Sequence, residues 1–254
     1  MKAVELVHVD QKFPNMSYKA LDDVSLKIEQ GEFVTILGSS GCGKTTLIKM
    51  INRLYQPDKG EIRLFDEEIS KKDPVQLRRK IGYVIQQIGL FPHMTVYENI
   101  ATIPRILKWD KTKIEEKVQE MLHLVGLEPK EYRNRYPAQL SGGQQQRIGL
   151  ARALICDPDI MLLDEPFGAI DAINREKLQN ELKSIHSKSK KTYLFVTHDI
   201  REAFKLGTRV IVMNRGKILQ YDTPEEIRQN PADGFVSDLI QTMEDAPGTG
   251  NEEL

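Results

Sequence analysis

The sequence has little of what marks several large protein classes. With only Cys42 and Cys156, the chain cannot be held by a disulfide framework, and its cysteine usage fits a reducing compartment. Its longest apolar runs, at 33–37, 160–163 and 193–196, fall far short of the roughly 20 residues that cross a bilayer. The N-terminus, Met1-Lys2-Ala3-Val4-Glu5, carries no apolar h-region, so no export signal is expected. A formal net charge of -1 over 254 residues removes any general attraction to nucleic acid. Two short basic clusters, at 78–80 and 188–191, read as solvated helix ends.

What the sequence does have is short apolar strands spaced by helical stretches. Strand candidates fall at 4–9, 25–28, 33–37, 82–85, 160–164, 193–197, 210–213 and 217–221. Continuously apolar strands alternating with helices imply a sheet covered on both faces, so the fold class is α/β with a mostly parallel sheet. The opening and closing strands are expected as antiparallel edges, with Asn214-Arg215-Gly216 as a hairpin turn. One region departs from the alternation. Ile114, Val118, Leu122 and Val125 recur at helical spacing before a stop at Gly126, and a second helix is expected over 144–156. Residues 87–155 therefore read as an α-helical insert in a core of 1–86 and 156–241. Thr223-Pro224-Glu225-Glu226 predicts a capped helix, and the acidic end, 244–254, is expected to fray.

The densest chemical signal follows the strand at 33–37. Gly38-Ser39-Ser40-Gly41-Cys42-Gly43-Lys44-Thr45 fits G-x-x-x-x-G-K-[ST], with a helix after it on which Leu47, Ile48 and Ile51 share a side. Glycines let successive amides turn inward onto an anion, and the helix start adds the positive end of its dipole. On this reading Lys44 bridges the β- and γ-phosphates of a nucleotide and the Thr45 hydroxyl ligates Mg2+, with Thr46 next in the cradle. The expected dipole effect also lowers the Cys42 thiol and makes it reactive toward alkylating agents when nucleotide is absent. Downstream, the apolar strand at 160–163 ends in Asp164 and Glu165. Asp164 is expected to hold the metal through water, and Glu165 to orient and deprotonate an attacking water.

A second candidate anion site begins at Ser141-Gly142-Gly143-Gln144. Ser141 is positioned to cap a helix whose first amides the glycines leave bare, without a lysine or metal ligand. Such a terminus holds a phosphate and supplies no chemistry; read alone, a Ser-Gly-Gly is ordinarily just a helix start.

The order of these motifs is what resembles a known family. A P-loop, then Gln86, then Leu-Ser-Gly-Gly-Gln, then Asp-Glu, then Gly168-Ala169-Ile170-Asp171, then a strand-end His198 is similar to the nucleotide-binding subunit of ATP-binding cassette transporters, over residues 1–241. The resemblance implies a P-loop NTPase core and an ATPase that uses ATP and Mg2+. It implies two copies, or this chain and a paralogous ATPase, packed head to tail. Ser141, Gly142, Gly143 and Gln144 would then touch the partner's nucleotide, with Asp171 at the seam. Gln86 would join metal and water to the helical insert, and His198 would bond the γ-phosphate, although a strand-end histidine is also a common structural residue. Adenine would stack on Phe13, with Tyr18 as rival; either ring serves equally as local packing. The apolar stretch 87–96 would receive a transmembrane permease subunit at the cytoplasmic face of the membrane, with a solute-binding protein acting indirectly, or it packs within the insert.

A closer resemblance, carried by 81–95, 50–54 and Leu107-Lys108-Trp109, is to importers of quaternary-ammonium osmoprotectants: glycine betaine, choline and carnitine. Many subunits of that group continue into tandem regulatory domains that the present 254 residues do not reach. Three rivals stand beside this reading: an importer ATPase for another solute such as an amino acid or polyamine, a soluble cassette ATPase, and a small-molecule kinase. The kinase has no use for residues 140–144.

Overall fold

The structure is a computed structural model that describes residues 1–14, 16–85, 89–168 and 170–245. Gln86, Gln87, Ile88, Ala169 and the end of the expected tail lie outside the described residues. In chain order the elements begin with β1 (Lys2–Gln11), β2 (Leu21–Glu29), β3 (Phe33–Gly38), α1 (Lys44–Ile51), β4 (Lys59–Leu64) and β5 (Glu67–Glu68). There follow α2 (Pro74–Arg79), β6 (Ile81–Val84), α3 (Val96–Ile106), α4 (Lys111–Leu124), α5 (Pro129–Tyr132), α6 (Gly142–Leu154), β7 (Ile160–Asp164) and α7 (Ala172–Ser189). The last are β8 (Thr192–Val196), α8 (Ile200–Leu206), β9 (Arg209–Asn214), β10 (Lys217–Asp222), α9 (Pro224–Gln229) and α10 (Phe235–Asp245). No described helix is long and apolar enough to cross a membrane.

The chain divides into two compact units, 1–72 with 193–254, and 73–192. In the first, β3 is buried along its whole length because it runs between β8 and β9 and parallel to both. Its pairings Ile36 with Val196 and Gly38 with Met213 fix where the strand stops and the P-loop begins. The antiparallel β9–β10 hairpin turns at 214–217, as the sequence predicts. Leu37, Phe204, Val212, Ile227 and Val236 form a core in which α8, α9 and α10 cover this sheet. A separate antiparallel sheet, in the order β2-β1-β4-β5, pairs Leu6 with both Leu26 and Ile62. Sequence patterning did not identify β4 or β5, whose residues are mostly charged.

In the second unit β6 and β7 pair in parallel, Val84 with Leu163, and α2 to α7 surround them in sequence. α4 starts at an Asp110 cap and is followed by Gly126 at a φ of +67°, the stop the sequence predicts. Of the two basic clusters, 78–80 does end a helix in solvent. In the other, Lys188 and Lys190 are exposed at the end of α7, as expected, while Lys191 beyond it pairs with Asp159 at 3.0 Å.

Candidate functional site

The first unit carries the P-loop. Gly38 must be glycine because a Cβ there would lie 2.2 Å from the Met213 carbonyl oxygen. Gly43, at a φ of +109°, would place a Cβ 2.2 Å from the Ala20 carbonyl oxygen. Gly43 also occupies the N-cap of α1, and no side chain caps that helix start. As glycine, this N-cap brings no side-chain oxygen to the first-turn amides, an arrangement suited to an anion. Lys44 is buried under the loop, its Nζ donating to the Gly38 and Ser39 carbonyls at 2.8 and 2.9 Å. The donor set is one ammonium, a run of amides, and the half-buried Thr45 and Thr46 in the first turn. It fits a phosphate group with a hydroxyl left for a hard cation.

Cys42 departs from the sequence-based expectation. It is 2% exposed, and burial pushes its thiol above the ordinary value, outweighing the Lys44 ammonium and the nearby amides that pull it down. A desolvated thiolate costs more than the helix end returns, so the Cys42 thiol is raised where its position at the helix start suggested a lowered one.

A cleft of about 350 Å³ opens along the loop, lined by Tyr18, Ser39, Ser40, Gly41, Cys42 and Arg215. Tyr18 is 53% exposed. Phe13, in contrast, turns its ring onto Tyr55 in an edge contact at 5.3 Å. His198 is exposed just beyond β8, where the Thr197 hydroxyl accepts the Asp199 amide at 3.0 Å and starts the turn into α8.

The second unit carries the carboxylates and the other glycine-rich helix start. Asp164 ends the fully buried β7 and is 2% exposed. Glu165 follows at a φ of +48°, a conformation costing a non-glycine residue about 1–2 kcal/mol. Its carbonyl is held by the Gln146 side-chain amide at 3.2 Å and the Gly168 amide at 3.3 Å. Gln146 is buried and holds the Glu165 backbone, a contact that no spacing in the sequence announces. In α6, Ser141 Oγ accepts the Gln144 amide at 3.3 Å while Gln144 Oε1 accepts the Ser141 amide at 2.9 Å. This capping box leaves Gly142 and Gly143 as the helix residues whose amides it does not use. Gln144 also donates to the Tyr132 hydroxyl at 3.2 Å. Asp171 caps α7 through Asn174, whose side chain and backbone amide, with Arg147 nearby, hold its carboxyl below the usual range.

Within 87–96 the described residues divide. Val96 is fully buried as the first residue of α3, whereas Phe91 is 39% exposed. Asn99, fully buried, knits this loop: its Nδ2 donates to the carbonyls of Phe91, Met94 and Thr95 at 3.0–3.1 Å, and its Oδ1 accepts the Phe91 amide at 2.8 Å. Arg152 of α6 donates to the Gly89 carbonyl at 2.9 Å. Among the described residues no three His, Cys, Asp or Glu side chains cluster as a metal cage.

Comparison with known proteins bears on these features together. The family profile described as ABC transporter matches residues 21–168. The carnitine transport ATP-binding protein OpuCA of Listeria monocytogenes is 54% identical over 222 residues, 87% of this chain and 56% of that protein. The glycine betaine uptake system ATP-binding protein YehX of Escherichia coli is 46% identical over 241 residues, 95% of this chain and 77% of that protein. The chain thus spans little more than half of the first relative's length. A dimeric structure of the ATP-binding cassette MJ0796 in a post-hydrolysis state, bound to ADP and Pi, superposes with a TM-score of 0.80 at 36% identity, covering 87% of this chain and 98% of that one. The chain belongs to the ABC transporter family, as an ATP-binding cassette with the P-loop NTPase fold.

Proposed function

We propose that the chain is the ATP-hydrolysing subunit of an importer for quaternary-ammonium osmoprotectants such as glycine betaine, choline and carnitine. The observation that carries the ATPase reading is the P-loop: an uncapped helix start, two glycines that a Cβ would not fit, and a lysine folded beneath them. The solute rests on the relatives, whose names are those of carnitine and glycine betaine systems.

In this reading the amides of 38–46 and the Lys44 ammonium hold the triphosphate, and Phe13 or Tyr18 offers a ring face to adenine. Glu165 accepts the proton of the attacking water, with its backbone fixed by Gln146. His198 donates to the γ-phosphate. Mg2+, when bound, neutralises phosphate charge in the transition state; Thr45 would hold it, with Asp164 and Gln86 assisting. Ser141, Gly142, Gly143 and Gln144 would reach the nucleotide of a second copy, and Asp171 would lie at the seam. Support for the pairing comes from the dimeric cassette of similar structure. The insert 87–155 would carry the permease contact, at the cytoplasmic face of the membrane, through the loop that Asn99 holds.

Two measurements test this. Glu165→Gln should abolish Mg-dependent ATP hydrolysis while keeping ATP binding; a variant that still turns over would remove Glu165 from the chemistry. Cells with and without the protein should differ in uptake of radiolabelled betaine and choline. Equal betaine and choline uptake, with a difference instead for a polyamine or amino acid, would transfer the ATPase to another solute.

A further inference from the structure

The β9–β10 turn has no part in the roles above, yet it forms one wall of the P-loop cleft. Arg215 stands there beside Tyr18, Ser39, Ser40, Gly41 and Cys42. Three contacts fix the turn. The Gly216 amide donates to the Cys42 carbonyl at 3.0 Å, the Ser39 hydroxyl donates to Asn214 Oδ1 at 3.3 Å, and the Asp22 amide donates to the Gly216 carbonyl at 2.9 Å. Gly38 adds a fourth constraint, since its bare Cα passes directly under the Met213 carbonyl. The turn and the first half of the P-loop are therefore one tightly fitted piece.

Within that piece Arg215 has a φ of +44°. Glycine and asparagine adopt this conformation readily, and an arginine does so under strain. Nothing in the turn's geometry requires a long cationic side chain; the backbone there would be easier to form without one. Strain of this kind persists where the surroundings over-determine it, and it gathers at ligand sites. The side chain is exposed at the cleft, and a guanidinium offers five N–H donors with a permanent charge. The Lys44 ammonium is anchored to the same loop segment, on the carbonyls of Gly38 and Ser39. The Lys44 ammonium and the turn that carries Arg215 thus both contact the segment 38–42, a charge arrangement that suits a polyphosphate.

We propose that Arg215 binds the phosphate tail of the nucleotide as a second cation beside Lys44. The proposal rests on the P-loop reading given above and adds a binding residue that lies outside the P-loop in sequence. Its contribution is charge and hydrogen bonding to phosphate oxygens, with no bond made or broken.

The test is fluorescence titration of the full chain with Mg-ATP at low and moderate salt. Arg215→Asn removes the charge and relieves the strained turn, so it should melt no lower than the parent chain while binding ATP about tenfold more weakly, the loss of one charged hydrogen bond. Its affinity should also depend less on salt than that of the parent. Arg215→Lys keeps the charge and should stay within about threefold of the parent. Unchanged ATP affinity in Arg215→Asn overturns the proposal, as does equal weakening in the asparagine and lysine variants with an unaltered salt dependence. Unchanged affinity with lost ATP-driven dimerisation of Glu165→Gln also overturns it, placing Arg215 between copies instead. Lys44→Ala separates the two levels: if it binds ATP normally the P-loop reading fails, and if it alone loses ATP only the role of Arg215 fails.

Discussion

Two helices of this chain begin in glycine-rich sequence, and they begin differently. At α1 the glycines are obligatory: Gly43 has a left-handed φ, and a side chain on Gly38 or Gly43 would strike backbone. No side chain caps the helix, and a lysine lies beneath the loop. At α6 the glycines are ordinary helical residues, preceded by Ser141 and closed by a reciprocal pair of hydrogen bonds with Gln144. The first terminus has a glycine N-cap that offers its amides no side-chain oxygen, and it brings its own cation. The second satisfies part of itself, which suits a terminus that completes a site held mainly by other groups.

The largest expected effect follows from this contrast. Gly43→Ala should destabilise the fold by about 2–4 kcal/mol, from strained φ and the clash with Ala20. Gly143→Ala, inside a helix, should leave stability unchanged or raise it by up to about 1 kcal/mol, yet lower ATPase activity. Chemical denaturation of both variants checks the pair, and equal destabilisation would erase the distinction between the two termini. Next in size, Ser141→Ala should cost about 1 kcal/mol through loss of the cap, read as a lower unfolding midpoint. Gln146→Ala removes one of the two hydrogen bonds on the Glu165 carbonyl and should lower kcat several-fold at unchanged ATP affinity; a change confined to KM would contradict its positioning role.

The smallest effect concerns the thiols. Burial raises Cys42 above its ordinary value and Cys156 to about 11. Each raised value means the folded chain keeps a proton that the unfolded chain would release. Their contribution to stability is therefore complete below the ordinary thiol value and is lost as pH climbs through the folded values. Alkylation at neutral pH should be slow at both positions, with or without ATP. Rapid labelling of Cys42 near pH 7 would contradict the burial argument.

The P-loop, the strand ending at Asp164 and the helix start at Ser141 were legible because each combines an apolar run with residue types whose backbone demands are local. What the sequence did not reveal depends on distant partners. β4 carries Lys59, Glu61 and Arg63 and only two apolar residues, Ile62 and Leu64, so that pairing with β1 is what makes it a strand. α7 buries little beyond Leu178, Gln179, Leu182 and His186, so no apolar stripe announces it. Gln146 and Asn99 are polar residues whose acceptors are backbone carbonyls in loops, which no spacing rule encodes. Cys42 was misjudged because the helix dipole is visible in sequence and desolvation is not.

The claim on which the account depends is that the α6 terminus of one copy completes the nucleotide site that the α1 terminus of another begins. Sedimentation of Glu165→Gln with saturating Mg-ATP tests it most directly. The account predicts a dimer that returns to monomer when Ser141→Arg is added, and a Glu165→Gln protein that binds ATP yet stays monomeric would contradict it.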